Sequence, residues 1–293
     1  MPVKELLKPI KIYRLIGLLM TYVMGAALAN YVEGMRSWLV FWTGAAFLSC
    51  ALFGFYYMQA LQRVNDEKLK PQGMSLAELK QIRLGLALIA ATMLTVAFTI
   101  IVGWMFEGLL WQGLIILLVV IFMVGTVLIL KGTSEKLQPF LPLLESILVV
   151  IIPPALGFFL QTQQMYRFLT MVVMGFVPFY LAFILLRQLI RFGEDQRKDI
   201  PTAVTAMGWE AAMVLHNTLI LFGYLLLALA ALLGLPWNTV WPAFLTAPLG
   251  LLEIWLMERV RRGQKPLWRI MQVAMGAVFL LPAYLLTLAF WIH

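Results

Sequence analysis

Nine apolar runs, each long enough to cross a bilayer, take up most of this 293-residue chain. They are Ile12–Tyr31, Trp38–Leu61, Leu84–Phe106, Leu109–Leu130, Pro139–Leu160, Phe168–Leu186, Ala211–Leu233, Val240–Met257 and Ile270–Ile292. A hydrocarbon core about 30 Å thick needs roughly 20 consecutive apolar residues of helix. The runs are continuously apolar rather than alternating, which predicts helices and not outer-membrane strands. With 62% hydrophobic and 12% charged residues and a mean hydropathy of +0.91, the chain holds more apolar surface than a soluble core requires. Lipid is therefore the solvent for most of it. The prediction is an all-α membrane protein of nine transmembrane helices.

The basic residues predict its orientation. Of 22 Lys and Arg, only Arg36 and Arg167 fall in the loops after the first, third, fifth and seventh runs. The rest lie at the N-terminus (Lys4, Lys8, Lys11, Arg14) or in the loops after the even-numbered runs. By the positive-inside rule this places the N-terminus in the cytoplasm and the C-terminus outside, in a multi-pass protein of the inner (plasma) membrane. Trp38, Trp42, Trp104, Trp111, Trp237, Trp241 and Trp291 fall near the outer ends, as an interfacial belt would. The net charge of +8 follows from this bias and from attraction to anionic lipid heads, so no nucleic-acid partner is expected. The first run is full length and lacks a small-residue cleavage site, so no cleavable signal is expected. Cys50, the single cysteine, excludes a disulfide within the chain.

Two charge-dense loops interrupt this apolar pattern, one after the second run and one after the sixth. The first, Gln62 to Arg83, carries Asn65, Asp66, Glu67, Lys68, Lys70, Pro71 and Gly73. The second, Arg187 to Gly208, carries Arg191, Glu194, Asp195, Arg197, Lys198, Asp199 and Pro201. Two matched polar islands four segments apart predict an internal duplication within a single domain. Repeat one covers about 12–130 and repeat two about 139–257, with an extra helix at about 270–292. Both islands face the cytoplasm, and a shared site between the halves would open there.

This layout resembles the UbiA superfamily of intramembrane aromatic prenyltransferases. Lys70-Pro71-Gln72-Gly73-Met74-Ser75 followed by Glu78 is similar to the stretch after that family's first motif. Asp195, Thr202 and Gly208 match the spacing of its second motif. Leu144-Glu145, Gly157 and Leu160-Gln161-Thr162 resemble the fifth helix of the branch that prenylates 1,4-dihydroxy-2-naphthoate for menaquinone, and Leu245-Thr246-Ala247-Pro248-Leu249 resembles its eighth. The resemblance implies a polyprenyl diphosphate donor held by Mg²⁺ on aspartates at i, i+4 and i+8 of one helix face. The metal offsets charge on the leaving diphosphate while an aromatic or quinoid acceptor attacks the allylic cation.

Several positions depart from that pattern. Counting back from Asn65, the first-motif positions are Gly54, Met58 and Gln62; in the second motif Arg191 replaces the first aspartate and Asp195 remains. Arg187 and Gln188 stand where the family has paired asparagines. Asp66, Glu67, Glu194, Asp195 and Asp199 could gather around a cation, or could be solvated acids balancing nearby bases. Arg63, Lys68, Arg187, Arg191 and Arg197 could grip a phosphate with Asn65, or anchor the loops to lipid. At i, i+4 spacing Arg191 is expected to meet Asp195. Glu145 lies inside an apolar run, where a carboxylate requires a partner or a role. His216 could ligate a porphyrin-type metal, bond a quinone, or bridge two helices. Pro153-Pro154 and Pro178 are expected to kink their helices.

Two functions remain open. One is an active prenyltransferase using Mg²⁺, with Asp195, Glu194 and Glu145 as candidate catalytic groups and Asp195, Asp66 and Glu67 as metal ligands. The other is an inactive homologue that binds an isoprenoid lipid, quinone or tetrapyrrole tail, with other membrane subunits as partners.

Overall fold

The computed structural model describes residues 12–65, 76–109, 113–131, 135–164 and 166–292. These are helical and contain no strand. Helices α1 (Ile12–Glu33), α2 (Trp38–Asn65), α3 (Leu76–Phe106) and α4 (Gly113–Lys131) come first. The fifth span is assembled from a 3₁₀ turn at Glu135–Phe140, α5 (Leu141–Ser146), a π turn at Ile147–Ile151 and α6 (Ile152–Thr162). Then follow α7 (Arg167–Arg197), the short α8 (Ala203–Met207), α9 (Trp209–Leu232), α10 (Trp237–Phe244), α11 (Ala247–Arg261) and α12 (Trp268–Ile292). Eight spans are long and apolar enough to cross a membrane, and α4 adds a shorter apolar stretch at Ile115–Thr126. The protein is thus an all-helical, multi-pass membrane protein.

The fifth and sixth spans form the centre, with 78% and 72% of their apolar windows buried, against 11% for the third. The most extensive helix pairs are α2 with α3 and α7 with α9, followed by α1 with α6. The last of these contacts is built on small residues. Gly17, Thr21, Gly25 and Ala29 recur every fourth position of α1 and are all buried, the spacing that lets membrane helices approach closely. A β-carbon on Gly25 would come within 2.1 Å of the Pro154 carbonyl oxygen, and one on Gly157 within 2.5 Å of that of Tyr22. The two backbones touch.

Prolines explain the irregular fifth span. Pro153 has no amide hydrogen, so the Val149 carbonyl loses its helical donor. The Thr21 hydroxyl supplies one from α1, at 2.6 Å. The chain loosens into a π turn there, and the Ile152 amide reaches back five residues to Ile147. The expected irregularity at Pro153-Pro154 is therefore an inserted turn. Around Pro178, by contrast, α7 remains one helix of 31 residues.

The eighth run, expected as one helix through Val240–Met257, is broken instead. The chain leaves α10 at Leu245 and Thr246 and restarts at α11, with Pro248 in its first turn. Thr246 holds the joint: its hydroxyl donates to the Ala243 carbonyl at 2.7 Å and shares a hydrogen bond with Tyr224 at 2.9 Å. Among the expected belt residues, Trp38, Trp42, Trp237 and Trp241 are exposed. Trp104 is not: it is buried and donates to the Thr43 hydroxyl at 3.1 Å, so it ties α3 to α2. Trp111 lies outside the described residues.

Candidate functional site

The first turn of α1 carries Arg14, and α5 carries Glu145; both are buried. The guanidinium takes the carboxylate in a two-pronged grip, Nε to Oε1 at 2.7 Å and Nη2 to Oε2 at 2.6 Å. Its remaining Nη1 donates to the Tyr56 hydroxyl of α2 at 3.2 Å. Tyr180 of α7 donates to Glu145 Oε1 at 3.1 Å, and Tyr13 lies at the edge of bonding distance, 3.4 Å. Bidentate charged hydrogen bonds of this kind are the strong ones. Each charge has left water, so each depends on the other. Removing one partner of a buried pair costs about 3–5 kcal/mol. Arg14 is thus not a headgroup anchor, although its place at the N-terminal end of the first run suggested one.

Arg187, one of the sequence candidates, joins this cluster through an aromatic face. Its guanidinium carbon lies 3.9 Å from the centroid of Tyr13 and 5.7 Å from that of Phe183. Both distances are within cation–π range. Helices α1, α2, α5 and α7 therefore meet at one polar cluster. Beside it is a narrow cavity lined by Leu18, Leu52, Phe122, Thr126 and Leu148 together with Arg14, Tyr56 and Glu145. Its free space is about 20 Å³, enough for a water and little more.

On the outer side of α5 lies a larger groove of about 480 Å³. Phe140, Leu143, Leu181, Leu185, Met207 and Leu215 line it, and its walls are almost wholly apolar. Leu143 and Glu145 are two positions apart, so the helix turns them to opposite faces. The groove floor is set by α8. Thr202 caps that helix, accepting from the Thr205 amide at 3.1 Å, and Gln188 accepts from the Val204 amide at 3.3 Å. Gly208, at φ +88°, turns the chain into α9. Thr202 and Gly208, which carried the second-motif resemblance, thus shape a capped turn between two helices.

The remaining candidates are dispersed. Glu194 is exposed and pairs with Lys198 at 2.6 Å. Asp195 is buried, while Arg191, one turn earlier, is exposed; among the described residues the two form no ion pair, contrary to expectation. The burial difference is the reason, since Arg191 extends into solvent and Asp195 turns inward. A β-carbon at Gly54 would meet Leu94 of α3 at 2.8 Å. The cavity face of α2 is Leu52 and Tyr56, so Gly54, Met58 and Gln62 do not line it. Asp66, Glu67 and Lys68 lie outside the described residues, as do the side chains of Arg63 and Asn65. Among the described residues no three His, Cys, Asp or Glu side chains gather as metal ligands. Mg²⁺ takes one or two carboxylates beside its phosphate oxygens. Glu145 is engaged by Arg14 and Glu194 by Lys198, which leaves Asp195 as the candidate acid without an ion-pair partner among the described residues.

A second buried pair sits deeper. His216 of α9 and Glu253 of α11 are fully enclosed, with Nε2 and Oε1 3.5 Å apart. The other ring nitrogen, Nδ1, lies 2.9 Å from the Ala182 carbonyl of α7 and must donate to it. His216 therefore bridges three helices, the third of the roles its position suggested. Tyr13, Arg14, Tyr56 and Tyr180 were missed as site residues. A carboxylate inside an apolar run needs a buried cation, and Arg14 was a basic residue at the very edge of another run.

Compared with known proteins, the chain matches no family model and no curated protein sequence.

Proposed function

We propose that this is a UbiA-type membrane protein that binds an isoprenoid lipid, a polyprenyl or quinone tail, without Mg²⁺-dependent transfer. The apolar groove between the fifth, sixth and seventh spans carries this reading. It is open and almost wholly apolar, and a hydrocarbon chain satisfies it where a polar substrate would not. In this reading α4 is the ninth crossing, the N-terminus and both polar loops are cytoplasmic, and the C-terminus is outside. Arg187, two residues beyond the groove-lining Leu185 on α7, is a donor for an oxygen-bearing head. Arg191, exposed at the end of α7, adds positive charge for a phosphate.

The test pairs binding with turnover. Purified protein is titrated with a fluorescent polyprenyl diphosphate and with a quinone, beside variants Leu143→Trp and Leu215→Trp that narrow the groove. Binding by the parent, weakened in both variants, is the expected result; equal binding in all three overturns the reading. The same protein, given Mg²⁺, a polyprenyl diphosphate and 1,4-dihydroxy-2-naphthoate or 4-hydroxybenzoate, is expected to form no prenylated product. Turnover abolished by Asp195→Ala would establish the second reading, an active transferase whose metal is held by Asp195 with Asp66 and Glu67.

A further inference from the structure

The end of α11 and the turn after it present an arrangement that the lipid-tail groove does not use. Leu251, Trp255, Glu258 and Arg262 are spaced by three or four, with Leu252 and Arg259 beside them, so all six share one side of the helix. Leu251 and Trp255 are 60% and 55% exposed. The Arg259 guanidinium carbon lies 4.8 Å from the Trp255 ring centroid, and its Nε donates to Gln264 at 2.5 Å. The turn that returns Gln264 to this point is fixed. The Gln264 amide bonds the Arg259 carbonyl and the Gly263 amide bonds that of Val260, with Gly263 at φ +80°. Trp255, Glu258, Arg259, Arg262 and Gln264 together line an open recess.

Charge there is one-sided. Between Glu258 and Arg269 the chain carries Arg259, Arg261, Arg262, Lys265 and Arg269 against Glu258 alone. Glu258 is shared by Arg261 at 2.9 Å and Arg262 at 3.3 Å. Among the described residues Arg259, Lys265 and Arg269 have no carboxylate partner. Along the helix axis the order is aliphatic, then indole, then guanidinium, over about 16 Å at 1.5 Å per residue. That is the order of acyl chain, glycerol level and phosphate in one leaflet. A free phosphate would use the arginines alone and leave Leu251, Leu252 and Trp255 without purpose.

We propose that this face is a binding site for one anionic phospholipid. Its phosphate sits between Arg259 and Arg262, its glycerol region lies against Trp255, and its chain runs along Leu252 and Leu251. Arg259 is held in place by stacking on the indole and by its bond to Gln264, so little side-chain entropy is lost on binding. Spare positive charge from Lys265 and Arg269 selects an anionic head over a zwitterionic one. A juxtamembrane cation contributes enough attraction for an anionic leaflet that each arginine is worth about fivefold in affinity.

Protein in a neutral detergent is titrated with phosphatidylglycerol or phosphatidylcholine, and retained lipid is counted by native mass spectrometry. The parent is expected to retain one phosphatidylglycerol in preference to phosphatidylcholine. Arg259→Ala/Arg262→Ala is expected to lower that retention about twenty-fold or more, while Trp255→Leu lowers it for both lipids. Lys80→Ala, at an exposed cation on another span, serves as control and is expected to have no effect. An unchanged preference in the double arginine variant overturns the proposal, as does a loss no larger than that of Lys80→Ala. Displacement of phosphatidylglycerol by inorganic phosphate at equal concentration also overturns it, since the site would then recognise the anion without its chains.

Discussion

At the scale of single residues, the fate of the charges follows from how many hydrogen bonds each one finds. Glu145 has a bidentate partner in Arg14 and a further donor in Tyr180. Arg14→Leu removes the two-pronged partner of a buried carboxylate, and should destabilise the fold by about 3–5 kcal/mol. The double variant Arg14→Leu/Glu145→Leu should recover most of that loss. Equilibrium unfolding in bicelles checks both, and a single variant as stable as the parent would show that the pair is not buried in the native protein. The His216–Glu253 contact is longer, at 3.5 Å, and leaves His216 Nε2 and both carboxylate oxygens without a hydrogen bond among the described residues, which marks it as the weaker of the two. The sequence made Glu145 conspicuous, since an acid in an apolar run is costly wherever it lies. It did not reveal Arg14 as the partner, because a basic residue at the edge of a run reads equally well as a lipid anchor. Gly54, Met58 and Gln62 were placed by counting along a helix, which fixes which positions share a face, but not which neighbour that face meets.

At the scale of elements, close approach and irregular backbone go together. The contact of α1 with α6 works because Gly25 and Gly157 leave no side chain between the two backbones, and because Thr21 satisfies the carbonyl that Pro153 strands. Gly25→Ala puts a methyl group into the Pro154 backbone and should lower stability by several kcal/mol, consistent with overpacking of a rigid contact. Gly85→Ala is its counterpart: nothing lies within 4 Å of the added carbon, so removing a helical glycine should be neutral or stabilising by up to about 1 kcal/mol. Thermal unfolding of the two variants side by side is the measurement, and equal effects would refute the distinction. Most span ends were legible in the sequence, because length and hydropathy suffice to place a helix in lipid. But α3 begins at Leu76 rather than Leu84 and α7 runs on to Arg197 rather than Leu186, since hydropathy does not see helix that continues beyond the apolar stretch. The breaks were not legible. Pro248 and Thr246 were visible, yet whether a proline kinks, interrupts or is tolerated depends on the donors that a neighbouring helix offers, and Pro178 sits within an unbroken α7.

At the scale of the whole molecule, the two most extensive helix pairs are α2 with α3 and α7 with α9. The segregation of 20 of the 22 basic residues predicts a reporter fused after His293 on the outer face and one fused before Met1 in the cytoplasm. Fluorescence of paired cytoplasmic and exported reporters decides it, and a cytoplasmic C-terminus would mean an even number of crossings. Which helix meets which across the bundle is also a matter of rotation, and here the π turn at Ile147–Ile151 acts as a phase shift. Glu145 and Gly157 are twelve positions apart; in an uninterrupted α-helix they would point about 120° away from each other. One extra residue in the turn absorbs about 100° of winding and brings them to within about 20°. Both then face α1, the carboxylate toward Arg14 and the glycine toward Tyr22. The segment is therefore counted rather than merely apolar. Shortening it by one residue would give a more regular helix, and would swing the Glu145 carboxylate out of reach of its guanidinium.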